Sequence, residues 1–238
     1  MSVLKFISFG SNEKYVDIAL KSLSEIKIIY PKAEVYISSP ASLPKEIILY
    51  AERFSRGYGY WMWKPFIIKS LLCESEYDDI VVYVDGRCGI PSRQISWINS
   101  YFEECNTNSV EFTAWQMQHI EKKWTSLELM SKFNIDINSH EANSGQYAGG
   151  ILAMKKTNNV INLIDDWLNF LIINNEYCRD SFTKSTLNPE FIENRHDQSV
   201  LSLLLKTKYN YLMNIKTLTD KNIYEEPSFV PHQKPHPT

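Results

Sequence analysis

The alternation of strand-like and helix-like segments in the first third of the chain is the feature that most constrains its fold. Apolar runs typical of strands occupy Val3–Phe9, Glu34–Ser38 and Asp79–Val84. Between them, Tyr15–Ile29 and Pro65–Cys73 have the apolar spacing of helices. Strands that alternate with helices are typical of a parallel sheet with crossover connections. The sequence therefore predicts an α/β fold, with ligands binding beyond the carboxyl ends of the strands.

The remainder of the chain extends this pattern. Further helices are predicted over Pro44–Phe54, Ser92–Glu104, Thr125–Phe133, Asn158–Asn174 and Asp197–Lys206, the last capped by its acidic first residue. Strands are predicted over Val110–Trp115 and Ala148–Met154, and the polar stretch Asn134–Tyr147 is predicted to be a loop. A chain of 238 residues is long enough for one large domain, which we place at residues 1–224. The proline-rich residues 225–238 are expected to form an extended or disordered tail.

Charge and targeting signals exclude several classes of protein. The chain has 25 basic and 28 acidic residues, a formal net charge of −3, so we expect no nucleic-acid partner. Its 4 cysteines lack the spacing of zinc ligands. The first residues do not show the apolar core and cleavage site of a signal peptide, so we expect none, and the most apolar helical segment, Val160 to Ile173, is too short to span a bilayer. We therefore expect a cytoplasmic protein without a transmembrane segment, in at most peripheral contact with the inner face of a membrane.

The densest cluster of aromatic residues surrounds the segment Arg56–Pro65 (RGYGYWMWKP). It is only superficially similar to a dinucleotide-binding G-x-G-x-x-G motif, because Met62 stands where the third glycine belongs. Two interpretations stay open: a glycine-broken loop that folds rings against a ligand beside cationic Arg56 and Lys64, or a loop that plugs one end of the core. The candidate ligand-binding residues of this segment are Arg56, Tyr60, Trp61, Trp63 and Lys64.

A carboxylate and a glycine follow directly after the third predicted strand, in the segment Tyr83–Cys88. A carboxylate at a strand end can hold Mg²⁺ or Mn²⁺, which in turn bridges a diphosphate. Asp85 is therefore a candidate metal ligand, and the alternative is a simple turn residue. Arg87, two residues further on, places a fixed positive charge at the same point.

Two later segments complete the set of candidates. In Gln146–Leu152, the pair Gly149 and Gly150 allows close approach of a ligand to the backbone, or else marks a bulge. In Asn194–Ser199, Asp197 is a candidate general base or acceptor for a sugar hydroxyl, and the alternative is a helix cap. His196 is a candidate metal ligand or acid. The other histidines, His119, His140, His232 and His236, show no ligand spacing and receive no role.

Taken in this order, the segments resemble bacterial and viral glycosyltransferases with the GT-A fold, of the kind that builds capsules and lipopolysaccharides. The resemblance includes Phe6–Gly10, the R-G-Y-G-Y-W-x-W-K-P pattern, Y-x-D-G around Asp85, the glycine pair, and H-D-Q-S at His196–Ser199. Motifs of serine hydrolases, zincins and P-loop proteins are absent from the sequence. The glycine- and lysine/arginine-rich loop of a nucleotidyltransferase is also missing after the first strand.

The resemblance implies a GT-A-like, Rossmann-like mixed sheet, mainly parallel and flanked by helices. It implies transfer of a sugar from a nucleotide diphosphate sugar, with a UDP-sugar as the first expectation, to a hydroxyl of a glycan or glycolipid in polysaccharide or glycoconjugate synthesis. We predict Asp85 and Asp197 as catalytic residues, Asp197 as the base if the enzyme inverts the anomeric configuration, with Mn²⁺ or Mg²⁺ on Asp85 and with His196 as a further candidate ligand. The implied substrate-binding residues are Gly10, Arg56, Tyr60, Trp61, Trp63, Lys64, Arg87, Gln146, Gly149, Gly150, His196 and Gln198.

Two alternatives remain at this point, and both concern Arg87. GT-A enzymes of this kind hold their metal with an Asp-x-Asp type motif, and Arg87 stands where the second carboxylate would be. Its guanidinium group could replace the cation beside the departing diphosphate. The same departure is compatible with a catalytically degenerate protein of this fold that only binds carbohydrate.

Overall fold

The computed structural model describes residues 2–88, 110–180 and 187–213, together with Asn99, Glu103 and Cys105. Its strands are β1 (Leu4–Phe9), β2 (Glu34–Ser38), β3 (Ile80–Val84), β4 (Phe112–Ile120) and β5 (Gly145–Lys155). The longer helices are α1 (Glu13–Ile29), α2 (Lys45–Arg53), α3 (Trp63–Glu74), α7 (Asn158–Ile173) and α8 (Asp197–Thr207). Three short helices, α4 (Glu121–Trp124), α5 (Leu127–Ser131) and α6 (His140–Asn143), lie between β4 and β5.

The five described strands form one mixed sheet in the order β2-β1-β3-β5-β4. β1 is parallel to both β2 and β3, whereas β5 is antiparallel to β3 and to β4. Four strands therefore run in one direction and β5 runs against them. This confirms the predicted mixed, mainly parallel α/β sheet.

Helices cover the sheet and form the core with it. The helix α1 packs against β1 and β2, α8 packs on β5, and α3 packs against α7. All five residues of β3 are buried, as expected of a central strand that is covered on both faces. Phe6, Tyr83, Phe112 and Trp167 are among the largest fully buried side chains, so the core runs through the sheet into the α7 layer. No helix in the described residues is long and apolar enough to cross a membrane.

The antiparallel half of the sheet departs from the predictions. Strand β4 runs to Ile120 instead of ending at Trp115, and β5 begins at Gly145 instead of Ala148. The stretch predicted as a loop over Asn134–Tyr147 contains the helix α6 and the first part of β5. Its polar residues have structural partners, since the Ser139 side chain caps α6. The polar sequence was thus misleading because its polar groups find partners inside the fold, as the buried Gln146 does with the Glu121 carboxylate.

Two further differences concern helices. The helix predicted over Thr125–Phe133 is only α5, which the Ser126 hydroxyl caps. The helix α3 begins at Trp63, two residues before the predicted Pro65. The predicted helix Ser92–Glu104 and the tail 225–238 lie outside the described residues, apart from Asn99 and Glu103.

Candidate active site

The RGYGYWMWKP segment folds into a left-handed helical turn. Five consecutive residues, Gly57 to Trp61, have φ between 51° and 81°. Backbone bonds close the turn, with the Tyr60 N–H donating to the Arg56 carbonyl at 2.8 Å and the Trp61 N–H to the Gly57 carbonyl at 3.2 Å. A left-handed conformation costs non-glycine residues roughly 1–2 kcal/mol each, so Tyr58, Tyr60 and Trp61 hold strain that packing must offset. The RGYGYWMWKP motif therefore encodes a run of left-handed backbone conformations.

The turn directs its rings to different surroundings. Trp63 is buried, stacks on Phe9 with ring centroids 3.9 Å apart, and donates its indole N–H to the Gly57 carbonyl at 3.0 Å. Trp61 instead stacks on His196 at 5.4 Å. Both open interpretations of the aromatic cluster are thus realised: part of it fills the core, and part of it faces a cavity.

A cavity of about 470 Å³ lies beyond the carboxyl end of β3, where an α/β sheet is expected to bind its ligand. Hereafter this is the first cavity. Predicted site residues from all four segments line it: Arg56, Trp61, Lys64, Asp85, Arg87, Gln146, Gly149, Gly150, His196, Asp197 and Gln198.

A buried ion pair joins two of the segments at the first cavity. The Nζ of Lys64 lies 2.7 Å from the Oδ2 of Asp197, and both side chains are only 4% exposed. Lys64 also donates to the Gly149 carbonyl at 3.2 Å and lies 5.2 Å from the ring centroid of Tyr83. Burial raises the pKa of Asp197 to about 6, against the opposing effect of Lys64. The carboxyl group is therefore mostly ionised at neutral pH and titrates just below it.

The alternative prediction that Asp197 caps its helix is wrong. His196 occupies the cap position of α8, with φ 55° and ψ −121°, and Asp197 is the first helical residue. The carboxylate of Asp197 pairs with Lys64, while its backbone carbonyl accepts a hydrogen bond from the Trp167 indole at 3.0 Å. Its side chain therefore serves the cavity.

Asp85 and Arg87 form a tight turn directly after β3, as predicted. The Asp85 N–H donates to the Gly150 carbonyl at 2.8 Å, and the Asp85 Oδ1 accepts from the Arg87 N–H at 3.2 Å. The Arg87 guanidinium donates to the Tyr15 hydroxyl at 2.9 Å and lies 5.3 Å from the centroid of the Tyr15 ring. The turn thus fixes a carboxylate and a cation side by side.

A second cavity, of about 290 Å³, adjoins the first. Hereafter this is the second cavity. Half of its lining residues are aromatic, namely Phe9, Tyr15, Tyr58, Trp61, Trp63 and Tyr83. Of the residues that the structure describes, Trp61, Asp85 and Arg87 line both cavities. The two cavities therefore meet at the strand-end turn, where one ligand can reach into both.

Two hydrogen-bonded amides, the half-buried Gln198 and the buried Gln146, support the floor of the first cavity. The Gln198 Oε1 accepts from the Gly149 N–H at 3.0 Å, and the Gln198 Nε2 donates to the Gln146 Oε1 at 2.6 Å. Gln146 in turn donates to the fully buried carboxylate of Glu121 at 2.8 Å, and that carboxylate pairs with Lys206 at 2.9 Å. Both amides are therefore held in a fixed orientation.

The glycine pair lies inside β5 rather than at its start. A Cβ added at Gly149 would lie 3.3 Å from the Gln198 side chain and 3.5 Å from the Lys64 Nζ. One added at Gly150 would lie 3.1 Å from the Cys88 Sγ. The glycines thus let Lys64 and Gln198 approach the strand backbone.

Two of the predicted residues line neither cavity. Gly10 directly follows β1. A Cβ added there would lie 2.4 Å from the Val16 nitrogen, so the glycine allows α1 to pack closely. The ring of Tyr60 packs behind the first cavity, 4.9 Å from the ring of His196. For these two, the contacts indicate structural roles.

The groups expected to hold a metal ion do not form a ligand set. Within the described residues, no group of three or more His, Cys, Asp or Glu side chains is arranged to hold one. The His196 Nδ1 bonds to the Cys178 carbonyl at 2.6 Å, and its Nε2 lies 3.7 Å from Asp180. Burial lowers the pKa of His196, which favours the neutral ring. The side chains around Asp85 and His196 therefore do not fit a metal centre formed by these two residues.

Sequence reasoning missed one wall of the first cavity, formed by Trp115, Met117, His119, Trp124 and Arg195. The Arg195 guanidinium lies 4.0 Å from the centroid of the Trp124 ring, and the His119 ring meets the edge of the same ring at 5.2 Å. His119 was given no role because it shows no ligand spacing, and the strand that places it at the cavity was predicted to end at Trp115. The alternation of Trp115, Met117 and His119 was the available signal.

No protein-family model matches the chain, and no curated protein matches it in sequence. Among solved structures, it is similar to a glycosyltransferase involved in glycosylation of the major capsid of PBCV-1, at 10% identity and a TM-score of 0.41, over 71% of this chain and 67% of that one. It is also similar to the galactosyltransferase LgtC (11%, 0.42, over 84% and 70%) and to mouse xyloside xylosyltransferase 1 (10%, 0.44, over 86% and 81%). Likenesses this distant carry no argument about function, which must come from the site.

Proposed function

We propose that the chain is a glycosyltransferase that moves a sugar from a nucleotide diphosphate sugar to a hydroxyl group of a glycan acceptor. The observation that carries the proposal is the pair of adjoining cavities that share Trp61, Asp85 and Arg87 as a wall. A nucleotide sugar has a flat base, a charged diphosphate and a polar sugar in sequence. The second cavity, the common wall and the first cavity offer matching surroundings in the same order.

In this assignment, the aromatic second cavity takes the nucleoside. Stacking of a base on an aromatic ring contributes about 1–3 kcal/mol. The Tyr58 and Tyr15 rings line this cavity, and Arg87 is held against Tyr15 at the junction. The guanidinium is thus placed for charge-assisted hydrogen bonds to phosphate oxygens.

The first cavity takes the sugar and the acceptor. Transfer breaks the bond between the anomeric carbon and the diphosphate oxygen, and the electron pair leaves with that oxygen. The acceptor oxygen forms the new bond to the anomeric carbon, and its proton passes to the Asp197 carboxylate. A pKa of about 6 suits a base that works near neutral pH. Lys64 stabilises the ionised carboxylate before the transfer.

The proposal is tested by release of nucleoside diphosphate from a panel of UDP- and GDP-sugars, with and without added glycan acceptors. We expect wild-type protein to release product and Asp85→Ala to lose activity about a hundredfold, because the Asp85 Oδ1 holds the turn that positions the Arg87 guanidinium and a misplaced group costs activity on that scale. Asp17→Ala, an exposed carboxylate on α1, is the matched control and should keep full activity. Thermal unfolding checks that both variants are folded.

Two outcomes would contradict the proposal. Full turnover by folded Asp85→Ala would exclude the strand-end turn from the reaction. Glycan binding without release of nucleotide from any donor would favour the alternative of a degenerate carbohydrate-binding protein.

A further inference from the structure

We infer that the fixed guanidinium of Arg87 neutralises the departing diphosphate, so that transfer requires no divalent cation. The inference rests on the proposed function, since it concerns the leaving group of that reaction. It runs against the metal dependence that the resemblance implies, and it follows from how the strand-end turn is built.

Arg87 differs in its pairing from the other cations of the first cavity. Lys64 is paired with Asp197, and both Arg56 and Arg195 are paired with Glu193. Within the described part of the chain, no carboxylate forms an ion pair with Arg87, whose guanidinium is held instead by the hydroxyl and ring of Tyr15. Its positive charge is therefore available to an anion, and its position is already fixed.

The surroundings of Asp85 also disfavour a divalent ion. One oxygen of Asp85 accepts the Arg87 backbone N–H. After Asp85, the sequence has no Asp or Glu until Glu103, so the turn supplies a single carboxylate. A divalent ion on that carboxylate would also share the cavity wall with the guanidinium, and two positive groups at one point repel each other.

The guanidinium is chemically suited to the task. As the bond to the anomeric carbon breaks, the electron pair stays on the diphosphate oxygen, which gains negative charge. A guanidinium donates parallel N–H bonds to phosphate oxygens and remains protonated throughout, so it stabilises that charge without transferring a proton. A donor positioned before the reaction needs no reorganisation when the charge develops.

Calorimetric titration with UDP, GDP, ADP and CDP, in excess EDTA and again in MnCl₂, tests the inference. We expect at least one diphosphate to bind wild-type protein with the same Kd in both solutions. Arg87→Ala should weaken that binding about ten- to a hundredfold in both, the usual range for a lost hydrogen bond to a charged group. Arg53→Ala, which removes an exposed arginine at the end of α2, is the matched control and should bind as wild type.

A second pair of variants separates charge from shape. Arg87→Lys keeps the positive charge and should retain metal-independent binding within about tenfold. The loss is expected because an ammonium group cannot form the two parallel hydrogen bonds of a guanidinium. Arg87→Asp places a second carboxylate two residues after Asp85, and we expect it to bind poorly in EDTA and to recover in MnCl₂. Transfer assays in the same two solutions should follow the binding data.

The outcomes distinguish this inference from the proposed function. Wild-type binding that appears only with Mn²⁺ overturns the inference and leaves the proposed function standing. Metal-free binding that Arg87→Ala leaves unchanged also overturns the inference. Failure of all four diphosphates to bind in either solution overturns the proposed function and the inference with it.

Discussion

The two cavities differ in how their walls are built. The first cavity has charged groups held in buried or bridged pairs, above all Lys64 with Asp197. The second cavity has rings from β1, α1, β3, α3 and the left-handed turn, and its charged lining among the described residues is the shared Asp85 and Arg87. Charged groups that are fixed in advance suit a reaction, whereas aromatic rings suit stacking on a base. Changes in the first cavity should therefore affect turnover, and changes in the second should affect binding.

The largest effect is expected from Asp197→Asn in the first cavity. The amide cannot accept the acceptor's proton, so kcat should fall at least about a hundredfold while the KM for the donor changes little. Steady-state kinetics with the best donor of the panel measures both. Asp165→Asn removes a carboxylate of an ion pair with Lys69, outside both cavities, and should leave kcat as in wild type. Unchanged kcat in folded Asp197→Asn would end its assignment as the base.

The second-largest effect is expected from a change in the second cavity. Tyr58→Leu removes a ring from the second cavity and should raise the KM for the donor about tenfold, since one stacking contact is lost. The value of kcat should stay near that of wild type. Tyr77→Leu, an exposed ring outside both cavities, provides the control. A fall in kcat with unchanged KM would contradict the division between the cavities.

A pH profile tests the first cavity alone. Burial raises the pKa of Asp197 in the ligand-free protein to about 6, and a base must be ionised, so kcat/KM should rise with pH through that value and then level off. At pH 5, kcat/KM should be about a tenth of its plateau value. The acidic limb should be absent from the residual activity of Asp197→Asn and unaltered in Tyr58→Leu. An acidic limb that persists in Asp197→Asn would assign it to another group.

The smallest effect is expected at the left-handed turn Gly57–Trp61, whose Trp61 lines both cavities. Gly57 has φ 59°, and an added Cβ would lie 2.3 Å from the Trp61 ring, so Gly57→Ala should lower the free energy of unfolding by about 1–3 kcal/mol. Gly86 lacks a left-handed φ, and an added Cβ there would lie 3.3 Å from Ala19. Gly86→Ala should therefore lower the free energy of unfolding by less than Gly57→Ala does, with both variants measured by urea titration. Equal losses would show that the left-handed turn is not the sensitive element.

The sequence predicted the parallel half of the fold well because its signals are local. Strand β2 has the predicted bounds, and β1 and β3 each begin one residue later than expected. The position of Asp85 after β3 also follows from local pattern, since an apolar run ends at a carboxylate and a glycine. Local patterns suffice where a strand is buried on both faces and its ends are marked.

The remaining features depend on contacts between distant residues. The pairing of Lys64 with Asp197 joins helices α3 and α8, and neither helix carries a sign of it in its own sequence. The left-handed run through Tyr58, Tyr60 and Trp61 opposes the intrinsic preference of those residues and is held by tertiary packing. The end of β4 was missed because the polar Gln116 and Gln118 interrupt the apolar run, although Trp115, Met117 and His119 alternate with them and line the first cavity.

Titration of the best-binding nucleoside diphosphate against wild type, Tyr58→Leu and Asp197→Asn tests the central claim most directly. If the second cavity holds the nucleoside and the first cavity performs the transfer, Tyr58→Leu should weaken binding about tenfold. Asp197→Asn should bind as wild type does. Wild-type affinity in Tyr58→Leu together with lost affinity in Asp197→Asn would contradict the account, because it would place the nucleotide in the first cavity.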